Sequence, residues 1–161
     1  MLRRVLIFGN SGSGKTSLAK ALCEENSLAH LDLDSLAWAP TNPPQRADLE
    51  CSKSDIECFT SANNDWVIEG CYTDLLEMVA PLSTEIIFLN LPVEDCIANA
   101  RRRPWEPHKY PSKAAQDNNL PMLLEWISQY TNRGDTFSFH THHAFFEGYK
   151  GKKQMYRTNA H

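Results

Sequence analysis

Residues 4–16 read Arg4-Val-Leu-Ile-Phe-Gly-Asn-Ser-Gly-Ser-Gly-Lys-Thr16. The apolar run at 5–8 is too short for a helical period and suits a strand buried on both faces. Beyond the glycines, Leu18, Ala21 and Leu22 recur at helical spacing. Between strand and helix, Gly9 to Thr16 fills every fixed position of the pattern G-x-x-x-x-G-K-[ST], in the context that gives the pattern meaning. Glycines let the backbone curl until successive N–H groups and a helix N-terminus face one point, which suits a phosphate oxyanion. Lys15 adds a point charge for the terminal phosphates, and the Thr16 hydroxyl suits Mg²⁺. Gly9, Asn10, Ser11, Gly12, Ser13, Gly14, Lys15, Thr16 and Ser17 are therefore candidate contacts of a nucleotide such as ATP. An ordinary Gly/Ser turn capping a helix would need chance to place every fixed residue behind a strand.

Outward from this loop, short apolar runs alternate with longer segments of helical period, the pattern of an α/β fold with a parallel sheet. Strands are expected at 4–8, 29–32, 66–68, 85–91 and 152–157. Helices are expected at 15–25, 48–62, 73–79, 93–103, 120–130 and 136–149. Right-handed crossovers would place the helices on both faces. The proline-rich, polar stretches 39–46 and 104–119 read as irregular loops. A length of 161 residues predicts one domain, residues 1–161, carrying a mobile lid segment at about 101–133.

Composition excludes several classes. Hydrophobic residues make up 42% and charged residues 22%, values typical of globular chains. A net charge of −4 argues against a general nucleic-acid binder. No apolar run is long enough to span a bilayer, and a cytoplasmic protein without a membrane partner is expected. Cys23, Cys51, Cys58, Cys71 and Cys96 form no C-x-x-C pair, so buried, reduced thiols are expected.

The strand at 85–91 carries Asn90 where motor and transporter ATPases place a magnesium-holding acid, and no N-K-x-D segment of guanine-specific switch proteins occurs. With G-N-S-G-S-G-K-T at the start, W-V-I-E-G-C-Y at 66–72, arginines at 101–103 and H-x-x-F-F-E-x-Y-x-G-x-K at 142–153, the chain resembles the nucleoside-monophosphate and shikimate kinase superfamily. The likeness is greatest to the adenylate-kinase-related topology modulation proteins. It implies a three-layer, doubly wound P-loop fold with five parallel strands in the order 2-3-1-4-5 and a small lid. It also implies ATP and Mg²⁺ as cofactors and a small-molecule phosphoryl acceptor as partner. Adenylate kinases usually carry Asp-Gly where this chain has Glu69-Gly70.

Phosphoryl transfer depends on charge placement, so metal carboxylates and mobile arginines are the residues to seek. Asp32 and Asp34, at period two, would turn to one face. They resemble the D-x-D of shikimate kinases, which implies Asp32 near Mg²⁺ and Asp34 orienting or deprotonating the acceptor hydroxyl. Asp34 as an ordinary turn starter is the competing reading. Glu69 is a further metal or water-orienting candidate, with Gly70 beside the acceptor. Arg101 and Arg102, in a cluster with Arg103, would act on the migrating phosphoryl group, although cations also favour a helix C-terminus for dipole reasons alone. Arg133 is a far-side lid candidate, and Arg46 would pair with an anionic acceptor. Trp38 reads either as a ring-stacking group or as a partly buried hydrophobe. His140, His142 and His143 are poorly spaced for a metal. Lys150, Lys152 and Lys153 read as a solvated turn. The overall expectation is a kinase, with a nucleotide-dependent regulatory or binding module, or a slow NTPase, as the alternative.

Overall fold

The computed structural model describes residues 2–41 and 44–160. In chain order the elements are β1 (Arg4–Gly9), α1 (Lys15–Asn26), β2 (Ala29–Asp32), β3 (Trp38–Ala39), β4 (Gln45–Arg46), α2 (Leu49–Ala62), β5 (Trp66–Glu69), α3 (Thr73–Val79), β6 (Glu85–Leu89), α4 (Val93–Arg102), α5 (Lys113–Ser128), α6 (Phe139–Gly148) and β7 (Lys152–Tyr156). Five strands form one parallel sheet in the order β2-β5-β1-β6-β7, which is 2-3-1-4-5 when only its own strands are numbered. No helix among the described residues is long and apolar enough to cross a membrane.

The alternation of side chains along β1 builds both layers of the core. Leu6 and Phe8 join Ile68, Ile86 and Phe88 on one face, beneath Ile56 of α2, Leu75, Leu76 and Val79 of α3, and Phe145 of α6. Val5 and Ile7 join Val67, Ile87 and Leu89 on the other, beneath Ala19 of α1, Cys96 and Ala100 of α4, and Ile127 of α5. With both faces covered, β1 loses its solvent contact entirely from Val5 to Phe8. Burial on this scale stabilises by about 25 cal/mol per Å² of apolar surface and fixes the strand ends from which the site is built. Ile7 and Asp32 lie in register with Glu69 on either side, so the carboxyl ends of β1, β2 and β5 open onto one edge.

Both stretches read as loops contain regular structure. Trp38–Ala39 and Gln45–Arg46 pair as an antiparallel hairpin, with Asn42 and Pro43 of its connection outside the described residues. Helix α5 begins at Lys113 rather than 120, with the Ser112 side chain accepting from the Ala115 N–H as a cap. It runs on through Pro121, although proline usually ends or kinks a helix. The polar residues that read as loop serve as clamps. Gln116 accepts from the Glu106 N–H and donates to the Pro104 carbonyl, and Asn119 donates to the Tyr110 hydroxyl. They fasten the segment 103–112 to α5. The cysteine expectation also needs correction: Cys96 is buried, but Cys51 and Cys58 are exposed. Seven residues apart, they share the face of α2 opposite Ile56.

Candidate active site

The loop after β1 is held open by its glycines. Gly12 and Gly14 adopt φ of 81° and 92°. A side chain on Gly12 would place its Cβ 2.4 Å from the Cys96 carbonyl oxygen. The carbonyl edge of the loop is taken up by side chains: Asn99 donates to the Gly12 oxygen and Asn159 to the Ser13 oxygen, both at 2.9 Å. Lys15 Nζ donates to the Asn10 carbonyl at 2.8 Å. Asn10 and Ser13 are buried, and Asn10 donates to the Ile127 carbonyl, which pins the loop to α5. Ser11, Gly12, Gly14, Lys15, Thr16 and Ser17 therefore line the cleft, whereas the Asn10 and Ser13 side chains face into the protein.

That cleft, of about 810 Å³, continues to Glu69 and Asp34 on one side and to Asn99, Arg102, Asn159 and the segment 103–109 on the other. At its floor Thr16 Oγ1 donates to Glu69 Oε2 at 2.7 Å, and His30 Nε2 lies 3.0 Å from the same oxygen. Glu69 is 2% exposed. Asp32 is pushed up to about 6 by burial first, then by the charges of Glu69 and Asp34. A divalent cation would relieve this crowding, and Thr16, Glu69 and Asp32 offer oxygen donors for Mg²⁺, although no three or more His, Cys, Asp or Glu side chains among the described residues are gathered as a metal cluster.

Asp34 is held from several sides. The Tyr72 hydroxyl donates to Asp34 Oδ1, and the Trp38 indole N–H donates to that hydroxyl at 2.8 Å. Lys109 donates to Asp34 Oδ2 at 3.0 Å and lies 3.9 Å from Asp32 and 3.7 Å from Glu106. Burial alone would raise Asp34, but Lys109, the Tyr72 hydroxyl and Lys15 outweigh it and hold the carboxyl below its ordinary range. Burial would likewise lower Lys109, yet Asp34, Asp32 and Glu106 outweigh it and raise the amine.

No family model matches the chain. The protein YqaC of Bacillus subtilis (strain 168), itself of uncharacterized function, is 24% identical over 136 residues, 83% of this chain and 76% of its own length. Among solved structures, shikimate kinase from Acinetobacter baumannii, in complex with shikimate, superposes with a TM-score of 0.57. It is 15% identical, over 100% of this chain and 86% of that one. Shikimate kinase from Bacteroides thetaiotaomicron gives 0.56 at 16% identity over 97% and 87%. A sugar kinase from Janibacter sp. HTCC2649 gives 0.50 at 16% identity over 87% and 100%. The fold is that of the P-loop kinases.

Within this P-loop kinase fold, the arginines are not placed as the sequence suggests. Arg102 lines the cleft and donates to Asn99 Oδ1 at 2.8 Å. Arg101 is exposed and lies outside the lining, because successive helical residues point about 100° apart. Arg103, extended at φ −65° and ψ 129° beyond the end of α4, turns back into the cleft. Arg133 is folded away from the cleft: its guanidinium lies 3.7 Å over the Trp126 ring, donates to the Trp126 carbonyl and faces Asp135 at 3.3 Å. Arg46 grips both Asp74 oxygens at 3.1 and 3.3 Å and lies over the Tyr72 and Phe137 rings. Gly70 lies under Leu33 and Tyr72, where a Cβ would come within 2.9 Å of Leu33. It permits that packing and does not line the cleft. Trp38 is 44% exposed and acts through its N–H rather than as core.

His142 is fully buried. Its Nδ1 accepts from the Tyr130 hydroxyl at 2.7 Å and its Nε2 donates to the Cys71 carbonyl at 2.8 Å, so it ties α6 to the loop after β5. Lys109, Glu106, Asn99, Asn159 and His30 join the site through the fold. No local pattern marks Lys109, Asn99, Asn159 or His30, because their cleft partners lie far along the chain, 146 residues away for Asn159; Glu106 has Arg103 and Lys109 three residues away on either side.

Proposed function

We propose that the chain transfers the γ-phosphoryl group of Mg·ATP to a hydroxyl of a small molecule. The observation that supports this most is a single cleft joining Lys15, Thr16 and Glu69 to Asp34 beneath the segment 103–109. A phosphate loop without an acceptor-side carboxylate would suit hydrolysis as well as transfer; the two together suit transfer. The loop's N–H groups and Lys15 would hold the β- and γ-phosphates. Thr16, with Glu69 and Asp32, would hold Mg²⁺, which supplies charge neutralisation between the phosphates when bound.

Asp34 is the base in this reading. Held as a carboxylate, it accepts the proton of the acceptor hydroxyl as that oxygen bonds to the γ-phosphorus. The bond from phosphorus to the bridging oxygen of ADP then breaks in line. Arg102 and Arg103 would meet the charge that develops on the migrating group. The segment 103–112, clamped to α5, would act as the water-excluding cover that transfer requires.

The test is ADP formation by the purified protein over a panel of hydroxyl acceptors, with acceptor-free controls. Stimulation by an acceptor, with a matching phosphorylated product, supports the reading. Nucleotide binding with only acceptor-independent hydrolysis would replace it with a slow NTPase or a nucleotide-dependent module.

A further inference from the structure

The charges at the acceptor end of the cleft restrict what binds there. An anionic acceptor needs a guanidinium or ammonium with an unspent face, because a carboxylate or phosphate brought beside Asp34 otherwise meets a like charge. Arg46 is spent on Asp74 and on the Ala37 carbonyl. Arg133 lies outside the cleft lining, over Trp126 and beside Asp135. Arg103 faces Glu106 Oε1 at 3.7 Å and, with Arg102, belongs to the phosphate side. Lys20 and Arg102 also line the cleft without a carboxylate partner among the described residues, but the cation within ion-pair distance of Asp34 is Lys109, which already answers Asp34, Asp32 and Glu106.

A second feature points the same way. Glu106 Oε2 is buried without a hydrogen bond, with Lys109 Nζ standing 3.7 Å away, and Glu106 lines the cleft. A buried acceptor of this kind calls for an O–H or N–H from a ligand. Asp34, whose Oδ1 takes the Tyr72 hydroxyl and whose Oδ2 takes Lys109, is likewise acceptor-only. The end of the cleft offers carboxylate oxygens, and a hydroxyl or an ammonium is what satisfies them.

The geometry points to an acceptor that is a hydroxyl compound without an anionic group, neutral or cationic, an inference resting on the phosphoryl-transfer reading above. Carboxylate and phosphate acceptors are turned away by Asp32, Asp34 and Glu106. An amine on the acceptor would share these carboxylates with Lys109 or take its place.

Matched compounds that differ only in charge test this. Glucose, glucosamine, gluconate and glucose 6-phosphate form one set, and uridine and uridine 5′-phosphate another. Transfer is followed with Mg·ATP on the full chain, and binding by calorimetry with the Mg complex of a non-hydrolysable ATP analogue. The neutral or cationic members should exceed their anionic partners by about a hundredfold in kcat/KM and in affinity, since like-charge juxtaposition is costly. Equal or better use of an anionic member overturns the inference. If no compound is phosphorylated, the kinase reading falls while calorimetry still decides the charge preference. Neutral or cationic members binding more tightly supports it. Anionic members binding as well, or no binding of any neutral or cationic compound, overturns it.

Discussion

The two ends of the cleft, its phosphate and acceptor ends in the proposed reading, are built by opposite means. The phosphate end is mostly backbone: a glycine turn, its φ values of 81° and 92°, and a helix start, all within residues 9–17. The acceptor end is mostly side chain: Asp34 from the turn that Asp32 caps beyond β2, Tyr72 from beyond β5, Trp38 from the hairpin and Lys109 from the segment 103–112. A backbone cradle reads charge and geometry and tolerates little change. A side-chain lattice sets specificity and changes by single substitutions. In this comparison, the phosphate end should fail completely when altered and the acceptor end by degrees.

The largest effect belongs to Lys15→Ala. Saturating Mg·ATP at a hundredfold over its Kd should stabilise the native chain by about 2.7 kcal/mol. The variant should show none of this in thermal unfolding. A retained shift would mean that the loop is not the nucleotide's cradle and would erase the contrast between the two ends. Asp34→Asn comes next, with kcat lower by about 10²–10⁴ as expected for a lost general base, while the nucleotide-induced shift persists. Loss of both would show that the two ends are not separable.

The third prediction concerns the scaffold behind the acceptor end. Burial pushes His142 down from 6.5 to about 4. The unfolded chain therefore binds the extra proton first, and this stability is complete above about pH 6.5 and lost as pH falls toward 4. It amounts to about 3 kcal/mol. Asp32, raised from 3.8 to about 6, works in the opposite sense: its contribution is complete below 3.8 and lost as pH rises through 6. In the wild type the two should largely cancel. Urea unfolding of Asp32→Asn should reveal an acid loss between pH 6.5 and 4.5, and adding His142→Gln should remove it. A flat profile in Asp32→Asn would contradict the burial of His142.

The contrast between the ends also explains what the sequence makes legible. The phosphate end sits within a few residues, so Gly12, Lys15 and Thr16 announce themselves by spacing, and the doubly buried strands announce the sheet. Asp32 and Glu69 are readable as strand-end acids, whereas Asp34 lies in the 3-10 turn that Asp32 caps and not on the strand that period-two spacing suggests. The arginines are not readable, because a charge at a helix end has many possible partners. Arg46 meets Asp74 and Arg133 meets Trp126 through folding that no spacing encodes. Lys109 carries no motif at all; it acquires its place 75 residues from Asp34. The helical start of α5 stays hidden because Gln116 and Asn119 look like loop residues until the segment they clamp is seen.

The smallest effect, and the one that refines the comparison most, is Tyr72→Phe. Its hydroxyl donates to Asp34 and accepts from Trp38, so the variant removes one hydrogen bond to a charged group and leaves the ring beneath Arg46. Such a bond is worth about 1.5–3 kcal/mol, and because water replaces part of it, kcat should fall by about tenfold. Asp34 loses a contact that favours its ionised form, so the acid limb of the kcat profile should move to higher pH. The KM for Mg·ATP should stay unchanged, since the phosphate end does not depend on Tyr72. A drop in stability with an unmoved limb would make Tyr72 a packing residue alone. A shifted limb at constant ATP affinity would show that the acceptor end is tuned from behind Asp34, independently of the cradle.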